Sequence, residues 1–268
     1  MKKLSLILSL AAVALFAVSC DKIDNPHKPF TPAGGDKTVL ITDFTGVRCV
    51  NCPAAAETAH DLQHRFGEDK VFIMSVHAGF QAQPVGNFPD FTTDEGTLWY
   101  GDNNSNPLFA VDHIDITPGE GNCLYIEQVD SPLSQYIVEP QTFNVQVYNE
   151  YDEETRTLKT ETDVVAIADV TGDFYMTSCI VEDSIVAPQV TSAGPDATYV
   201  HRNVFRKTIN GAYGDTFLEG QIYVNDEYDY KYEFQLDSTY NADQCYILSY
   251  VYEKKTKKIY QTAMTKVK

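Results

Sequence analysis

Apolar and polar residues follow two different patterns along this chain. Up to about residue 138, apolar runs at 39–41, 70–77 and 108–111 predict strands, and helices are predicted directly behind residue 52 and over 93–100. Strands that alternate with helices are typical of an α/β fold. The pattern therefore predicts an α/β domain over residues 38–138.

From about residue 139 the apolar positions recur with a period of two. Residues 142–148 alternate in this way, and an aromatic row between Tyr228 and Leu236 alternates with charged and polar residues. Several such strands, joined by polar turns and without a helical period, predict an all-β, immunoglobulin-like sandwich over residues 139–268. We interpret the aromatic row as sheet packing, because aromatic residues favour strands.

The first 20 residues have the pattern of a cleaved signal peptide. Lys2 and Lys3 precede an apolar run, Leu4–Val18, that is too short to span a bilayer comfortably. Small residues and Cys20 close the run and resemble a bacterial lipobox, although Ala17 replaces the more usual leucine. The resemblance implies that Cys20 carries lipid and attaches the mature chain to a membrane. The alternative is an ordinary signal peptide with a chance cysteine.

The net charge of the chain limits the classes of molecule that it is expected to bind. The chain contains 20 Lys+Arg and 38 Asp+Glu, a net charge of −18 at pH 7. This acidity opposes binding to nucleic acid or to anionic lipid surfaces, so no nucleic-acid partner is expected.

Residues 21–37 are rich in proline and glycine and have nothing to bury, which predicts a flexible linker between the signal peptide and the folded part.

Two cysteines supply the candidate chemistry. Cys49 and Cys52 follow a strand and a turn and precede a predicted helix, the context in which a C-x-x-C motif indicates redox activity. A thiolate attacks in disulfide exchange, and the positive end of a helix favours the thiolate. We expect Cys49, beside Arg48, to be the more exposed and more acidic thiol, and Cys52 to resolve the mixed disulfide.

Zinc binding and a structural disulfide compete with the redox interpretation. His60 and His64 suggest a zinc set with the cysteines, but Cys52 and His60 on one helix lie about 12 Å apart along its axis. Zinc ligands all lie within roughly 2.0–2.3 Å of the metal, so no metal site is predicted. A purely structural disulfide stays open as an alternative.

The stretch around the cysteines resembles the thioredoxin superfamily. Asp43 begins an Asp-Phe pair ahead of Cys49, as in that superfamily, whereas Arg48 stands where tryptophan is usual. The resemblance implies a thioredoxin-like fold in which Asp43 moves the proton of Cys52. It also implies that Pro107, which precedes an apolar strand, is a cis-proline whose loop binds the substrate backbone.

The whole chain also resembles the twenty-eight-kilodalton outer-membrane protein family of Bacteroidota lipoproteins. The resemblance rests on the lipobox, the linker, the TGVRCVNCP stretch at 45–53, and the HRNVFR stretch at 201–206 with Asn210–Gly214 behind it. It implies a thioredoxin-like module followed by a β-sandwich, in a lipoprotein anchored in the outer membrane on its periplasmic or cell-surface side. The family is described as a surface adhesin or receptor, so membership alone does not imply redox activity.

The remaining cysteines bear on disulfide pairing. An oxidising compartment favours disulfides, and Cys49–Cys52 is one candidate pair. Cys179 and Cys245 lie in predicted strands, which allows an inter-sheet bridge, and Cys123 is then left over.

Two functions from different classes follow from the sequence. The first is a membrane-tethered thiol–disulfide exchanger acting on protein thiols. The second is a non-catalytic surface adhesin or receptor in which the cysteine pair is structural and the β domain or residues 78–101 bind a partner. Phosphate-binding loops, H-E-x-x-H and G-x-S-x-G motifs are missing from the sequence, so hydrolytic and nucleotide chemistry have no support and no cofactor is expected.

Overall fold

The computed structural model describes residues 37–268, without the side chains of residues 216–218. The predicted signal peptide, the lipid site at Cys20 and all but the last residue of the predicted linker lie outside the described residues. Within residues 37–268, no helix is long and apolar enough to cross a membrane.

Strands and helices alternate in the first part of the described chain. The strands are β1 (Val39–Thr45), β2 (Val71–His77) and β3 (Leu108–Val111), and the helices are α1 (Cys52–Phe66), α2 (Asp94–Tyr100) and α3 (Asp130–Tyr136). β1 runs parallel to β2 and antiparallel to β3. The predicted strand at 108–111 and the helix near 93–100 are therefore confirmed.

Both faces of this part of the sheet are covered. Ala55, Ala59 and Leu62 recur at helical spacing on α1 and are buried, which places the helix against the face of β1 and β2 that carries Val39 and Ile73. The opposite face carries the other strand residues, because successive side chains of a strand alternate. It packs against Trp99 and Tyr100 of α2. The same core cluster contains Leu40, Phe44, Met74, Val76, Ala78, Leu108, Ala110, Ile114, Ile116, Cys179, Val181, Phe205, Leu248, Tyr250, Tyr252 and Ile259.

Regular structure after residue 139 is almost entirely β in the described chain. The strands are β4 (Phe143–Asp152), β5 (Thr157–Ala166), β6 (Val170–Glu182), β7 (Ile185–Val186), β8 (Gln189–Thr191), β9 (Gly194–Asp196), β10 (Val200–His201), β11 (Val204–Thr208), β12 (Asp215–Ile222), β13 (Glu227–Gln235), β14 (Cys245–Glu253) and β15 (Ile259–Lys266). The predicted change from α/β to β character is thus confirmed, and the described chain is mostly β with mixed sheets.

One large sheet crosses residue 139, where the sequence suggested a domain boundary. Its strand order is β15-β14-β6-β11-β2-β1-β3, with β12 also paired to β6. The junction is a parallel contact between Val204 of β11 and Ser75 of β2. The core cluster on the α2 face contains residues from both sides of the boundary. Residues 38–138 and 139–268 accordingly belong to one compact unit.

A three-stranded sheet, β13-β5-β4, forms a second layer over the later strands. Phe143 and Val164 of this sheet share a core with Phe174 of β6 and Val251 of β14. The tyrosines of β13, Tyr228, Tyr230 and Tyr232, are half-buried against the same core. Their predicted role in sheet packing is therefore confirmed.

The bridge considered between Cys179 and Cys245 is not formed. Both cysteines are buried and free, on adjacent strands of one sheet. Cys179 lies opposite Leu248, whereas Cys245 lies opposite Glu182 three residues further along β6. An odd offset places two side chains on opposite faces of a sheet, so the sulfurs enter different cores.

Candidate functional site

Cys49 and Cys52 form a disulfide at the N-terminus of α1, with a Cα–Cα distance of 5.4 Å. Cys52 is the first residue of the helix, and Pro53 follows it where a missing N–H costs no helical hydrogen bond. Cys49 lies before the helix, and its backbone N–H donates to the Gly46 carbonyl at 3.0 Å. The predicted pairing and its place at a helix start are thus confirmed.

The pair is more buried than the sequence suggested. Cys49 is 1% exposed and Cys52 is 2% exposed, so the expectation that Cys49 is the more exposed cysteine is wrong. A turn at 80–82 covers one side of the cysteine loop, where the Arg48 N–H donates to the Gln81 carbonyl. A Cβ on Gly46 would lie 2.6 Å from the Gln81 backbone, so this close approach requires glycine.

A segment from the later part of the chain covers the other side. We call residues 187–201 the arm; it contains β8, β9 and β10. Gln189 Nε2 donates to the carbonyls of Gly46 at 3.2 Å and Cys49 at 3.1 Å. The Val190 N–H donates to the Val47 carbonyl at 2.9 Å. Burial of the disulfide therefore depends on contacts about 140 residues away in sequence.

Asp43 lies on the face of β1 that looks toward α1. Val39 and Ile41 precede it on that face, because side chains alternate along a strand. Its side chain is buried, and its Oδ1 has no hydrogen-bond partner among residues 37–268. Burial raises the pKa of Asp43 to about 7, since a carboxylate loses hydration there. At neutral pH this carboxyl group can both hold and release a proton.

A cavity of about 190 Å³ is lined by both Asp43 and Cys52. Its walls come from the ends of β1 and β2, the first turns of α1, and the arm with the residue after it. The lining residues are Asp43, Thr45, Cys52, Pro53, Ala56, Glu57, His60, Ser75, His77, Gln189, Tyr199, Val200, His201 and Arg202.

Two buried histidines complete the polar wall. His77 lies opposite Thr45 in the β1–β2 register, and its ring centroid is 5.6 Å from that of His201. Phe91 packs against both rings, at 5.0 and 5.1 Å between centroids. Burial lowers the pKa of His201 to about 4. Burial also lowers the pKa of His77 well below its usual value, and positive charge on His201 or Arg206 would lower it further.

The sequence interpretation missed these histidines. His77 ends an apolar strand at the same parity as Ser75, a pattern that places it on the α1 face beside Asp43. That signal is readable from the sequence. No local pattern connects His201 to Asp43, because β10 and the arm reach the cavity only through the tertiary fold.

Pro107 lies on a separate groove at the start of α1. The Asn106–Pro107 peptide bond is cis, as the resemblance implied. Asn106 Nδ2 donates to the carbonyls of Thr45 and Ala78, both at 2.9 Å, which fixes this loop beside the end of β1. An open groove of about 490 Å³ runs between the loop and α1, lined by Asn51, Ala54, Ala55, Thr58, Ser105, Asn106, Pro107, Tyr125, Ile126 and Glu127.

Carboxylates that could share a cation lie elsewhere. Within the described part of the chain, one group of three, Glu161, Asp163 and Asp229, has oxygens close enough to bind one ion. It lies on β5 and β13 in the three-stranded sheet, which does not contribute to the cysteine cavity.

The family model described as outer membrane protein Omp28 matches residues 125–268, more than half of the chain. The chain belongs to the Omp28 outer membrane protein family. The family and the outer-membrane location expected from the sequence are thereby confirmed. The Omp28 match contains the arm and His201 and begins after the cysteine pair, so it covers one wall of the cavity and not the other.

Solved structures bear on the fold of this Omp28-family chain. It is similar to HBP35 of Porphyromonas gingivalis at 14% identity, with a TM-score of 0.66 over 87% of this chain and 76% of that one. It also matches a domain of the outer membrane lipoprotein Omp28 from Porphyromonas gingivalis at 18% identity, with a TM-score of 0.33 over 48% of this chain and 91% of that one. No curated protein sequence matches the chain. The likeness to HBP35 therefore supports a shared fold and nothing about activity.

Proposed function

We propose that this Omp28-family protein is an outer-membrane lipoprotein, anchored through lipid on Cys20, that carries out thiol–disulfide exchange on extracytoplasmic proteins. One observation carries the proposal: the buried carboxyl group of Asp43 and the sulfur-bearing Cys52 line the same cavity. A carboxyl group with a pKa of about 7 at this place suits general acid–base catalysis near neutral pH.

The exchange proceeds by two displacements at sulfur. A thiolate of the substrate protein attacks Cys49 Sγ and forms a mixed disulfide, while the Cys49–Cys52 bond breaks. Cys52 leaves with the electron pair and takes the proton of Asp43. A second substrate thiolate then attacks the substrate sulfur of the mixed disulfide and releases Cys49 as a thiolate. The substrate dithiol is oxidised to a disulfide, and the Cys49–Cys52 disulfide is reduced to a dithiol.

The fold assignment is part of the same proposal. A thioredoxin-like arrangement over residues 38–138 is supported by the β1–α1–β2 order, the C-x-x-C at the start of α1 and the cis-proline before β3. In this arrangement the groove beside Pro107 receives the substrate backbone. An immunoglobulin-like sandwich over residues 139–268 is supported by the packing of the three-stranded sheet on β6 and β14.

A non-catalytic adhesin or receptor is the second candidate. Its support is the burial of the disulfide, since 1% and 2% exposure leave little sulfur for an incoming thiolate. In this candidate the pair is a structural staple that closes the loop before α1, and the turn at 80–82 and the arm cover that loop.

Trapping of mixed disulfides tests the two candidates. In a Cys123→Ser background, which removes the half-buried free thiol, Cys52→Ser is given a substrate protein that contains a disulfide, so that the exchange runs in reverse and Cys49 attacks. This variant is expected to trap mixed disulfides through Cys49, because Cys52 is the thiol that resolves them in this direction. Cys49→Ser is the matched control and is expected to trap few. Mass spectrometry after acid quenching counts the adducts. Absence of adducts in both variants, with a reduction potential below about −300 mV, would favour the staple.

A further inference from the structure

The ring of His201 is held in one orientation. It hydrogen-bonds to the backbone carbonyls of Ala187 and Pro188 at the base of the arm, while its Nε2 is buried without a hydrogen-bond partner in the described part of the chain. Because Nε2 is the ring nitrogen without a partner, we assign the proton that faces the backbone to Nδ1, which leaves Nε2 with a free lone pair. Only 4% of the residue is exposed, and it lines the cavity with Asp43 and Cys52.

The cavity suits water. A water molecule takes up about 30 Å³ of liquid and needs two or more polar partners. The cavity of about 190 Å³ has room for several, and its buried polar groups include Asp43 Oδ1, His77 Nδ1 and His201 Nε2, each without a partner within residues 37–268. Buried polar groups are costly unless they are hydrogen-bonded, so bound water is the expected partner of these three atoms.

We propose that His201 is a positioning residue for the exchange reaction: its Nε2 accepts a hydrogen bond from the water that passes protons between solvent and Asp43 while the Cys49–Cys52 bond opens and closes. This inference rests on the proposed exchange function, and it assigns a role in that function to the later part of the chain.

The proton balance fixes where this water acts. When Cys52 leaves as a thiolate and takes the proton of Asp43, the carboxylate that remains is buried. It recovers a proton from the adjacent water, and that water is reprotonated by solvent at the mouth of the cavity. One proton therefore enters from solvent for each Cys52 thiol formed, and the reverse path operates when the disulfide closes.

Several charged and titratable groups line the cavity around His201, and burial keeps its ring neutral. Asp43 faces it from β1, His77 from β2, and Glu57 and His60 from α1, while Tyr199 packs on its ring at 4.9 Å. Arg202 adds a positive charge to the cavity wall. Burial lowers the pKa of His201 to about 4, so Nε2 stays available as an acceptor across the neutral range.

Two substitutions of His201 test its hydrogen-bond acceptor, Nε2, separately from the donor to the backbone. The amide of Asn reaches the place of Nδ1, so His201→Asn keeps the donor to the backbone and removes the acceptor. The amide of Gln reaches the place of Nε2, so His201→Gln keeps an acceptor. The readout is the rate at which dithiothreitol reduces the oxidised full-length protein between pH 5 and 8, in H₂O and in D₂O.

We expect His201→Asn to slow reduction by about tenfold and to introduce a solvent isotope effect, because proton delivery to Cys52 then limits the rate. His201→Gln should stay within about threefold of the wild-type rate. A wild-type rate and isotope effect in His201→Asn, or equal slowing in both variants, would overturn the assignment. Should His201→Asn fail to fold, His201→Gln decides alone: a tenfold loss overturns the proposal and a retained rate supports it.

Dithiothreitol keeps this test separate from the proposed function. It opens the disulfide whether or not the protein exchanges with protein thiols. Failure to react with a protein dithiol would therefore refute the exchange function while leaving the comparison of His201 variants readable. Conversely, normal exchange with protein thiols and unaffected His201→Asn kinetics would refute only the role of His201.

Discussion

Asp43→Asn in the oxidised protein should remove the loss of folding stability that ionisation of Asp43 causes as the pH rises. Asparagine has nearly the same shape as aspartate and carries no charge at any pH. The disulfide stays closed, so neither Cys49 nor Cys52 titrates during the experiment. The substitution therefore isolates the cost of burying one carboxylate.

The magnitude follows from the raised pKa of Asp43. Burial moves the pKa from 3.8 to about 7, and at about 1.4 kcal/mol for each pKa unit the difference corresponds to about 4 kcal/mol. The folded state holds the proton more tightly than the unfolded state. Stability from this group is therefore fully present below about pH 4 and is lost as the pH rises through about 7.

His201 acts in the opposite direction over part of the same range. Its pKa is lowered to about 4, so the folded state favours the neutral ring and stability rises as the pH increases from about 4 to 6.5. This contribution is shared by wild type and Asp43→Asn. The difference between the two proteins consequently reports Asp43, whereas the pH profile of either protein alone does not.

Urea unfolding at pH 4, 5, 6, 7 and 8, followed by far-ultraviolet circular dichroism, measures the free energy of unfolding. Asp43→Asn should gain on wild type by up to about 4 kcal/mol between pH 4 and 8. Asp61→Asn, the same chemical change at an exposed site on α1, is the matched control and should give a flat difference. A change below about 1 kcal/mol for Asp43→Asn would refute the desolvation argument.

Three further predictions concern the anchor, the arm and the shared sheet. Cys20→Ala should abolish fatty-acid labelling and release the protein from membranes in a detergent-partition assay; unchanged labelling would contradict lipidation at this residue. Gln189→Leu should cost roughly 1–3 kcal/mol through loss of the hydrogen bonds from Nε2 to the Gly46, Cys49 and Val190 carbonyls, and it should speed reduction by dithiothreitol. An unchanged rate would mean that the arm does not protect the disulfide. Residues 139–268 alone should lack a cooperative melt, because β11 loses β2 and Phe205 loses Trp99; a cooperative two-state melt would show that the later strands form their own core.

Local signals in the sequence were sufficient for the elements that carry the chemistry. The apolar run of β1, the cysteines behind a turn and Pro53 in the first helical turn together specify a disulfide at the start of α1. Pro107 was placed correctly before β3 as well. Each of these features depends on backbone preferences and neighbours within a few residues, which the order of amino acids records directly.

Features that depend on long-range pairing were decided by the tertiary structure. Cys179 and Cys245 both lie in strands, as expected, but only the β6–β14 register shows that they point to opposite faces. In the same way, the β11–β2 contact joins two parts whose periodicities differ and gives them one core. Periodicity indicates that a strand exists and which side is apolar, and it does not indicate which other strand will pair with it.

The candidate site divides along the same line. The sequence determined Cys49, Cys52 and Asp43, because they share one strand–turn–helix unit. Only the tertiary structure brought Gln189 and His201 to them, buried the disulfide and enclosed the Asp43 carboxyl group in a polar cavity. The physical reason is that burial results from the packing of segments that are distant in sequence. Burial raises the pKa of Asp43 and limits the accessibility of the two sulfurs.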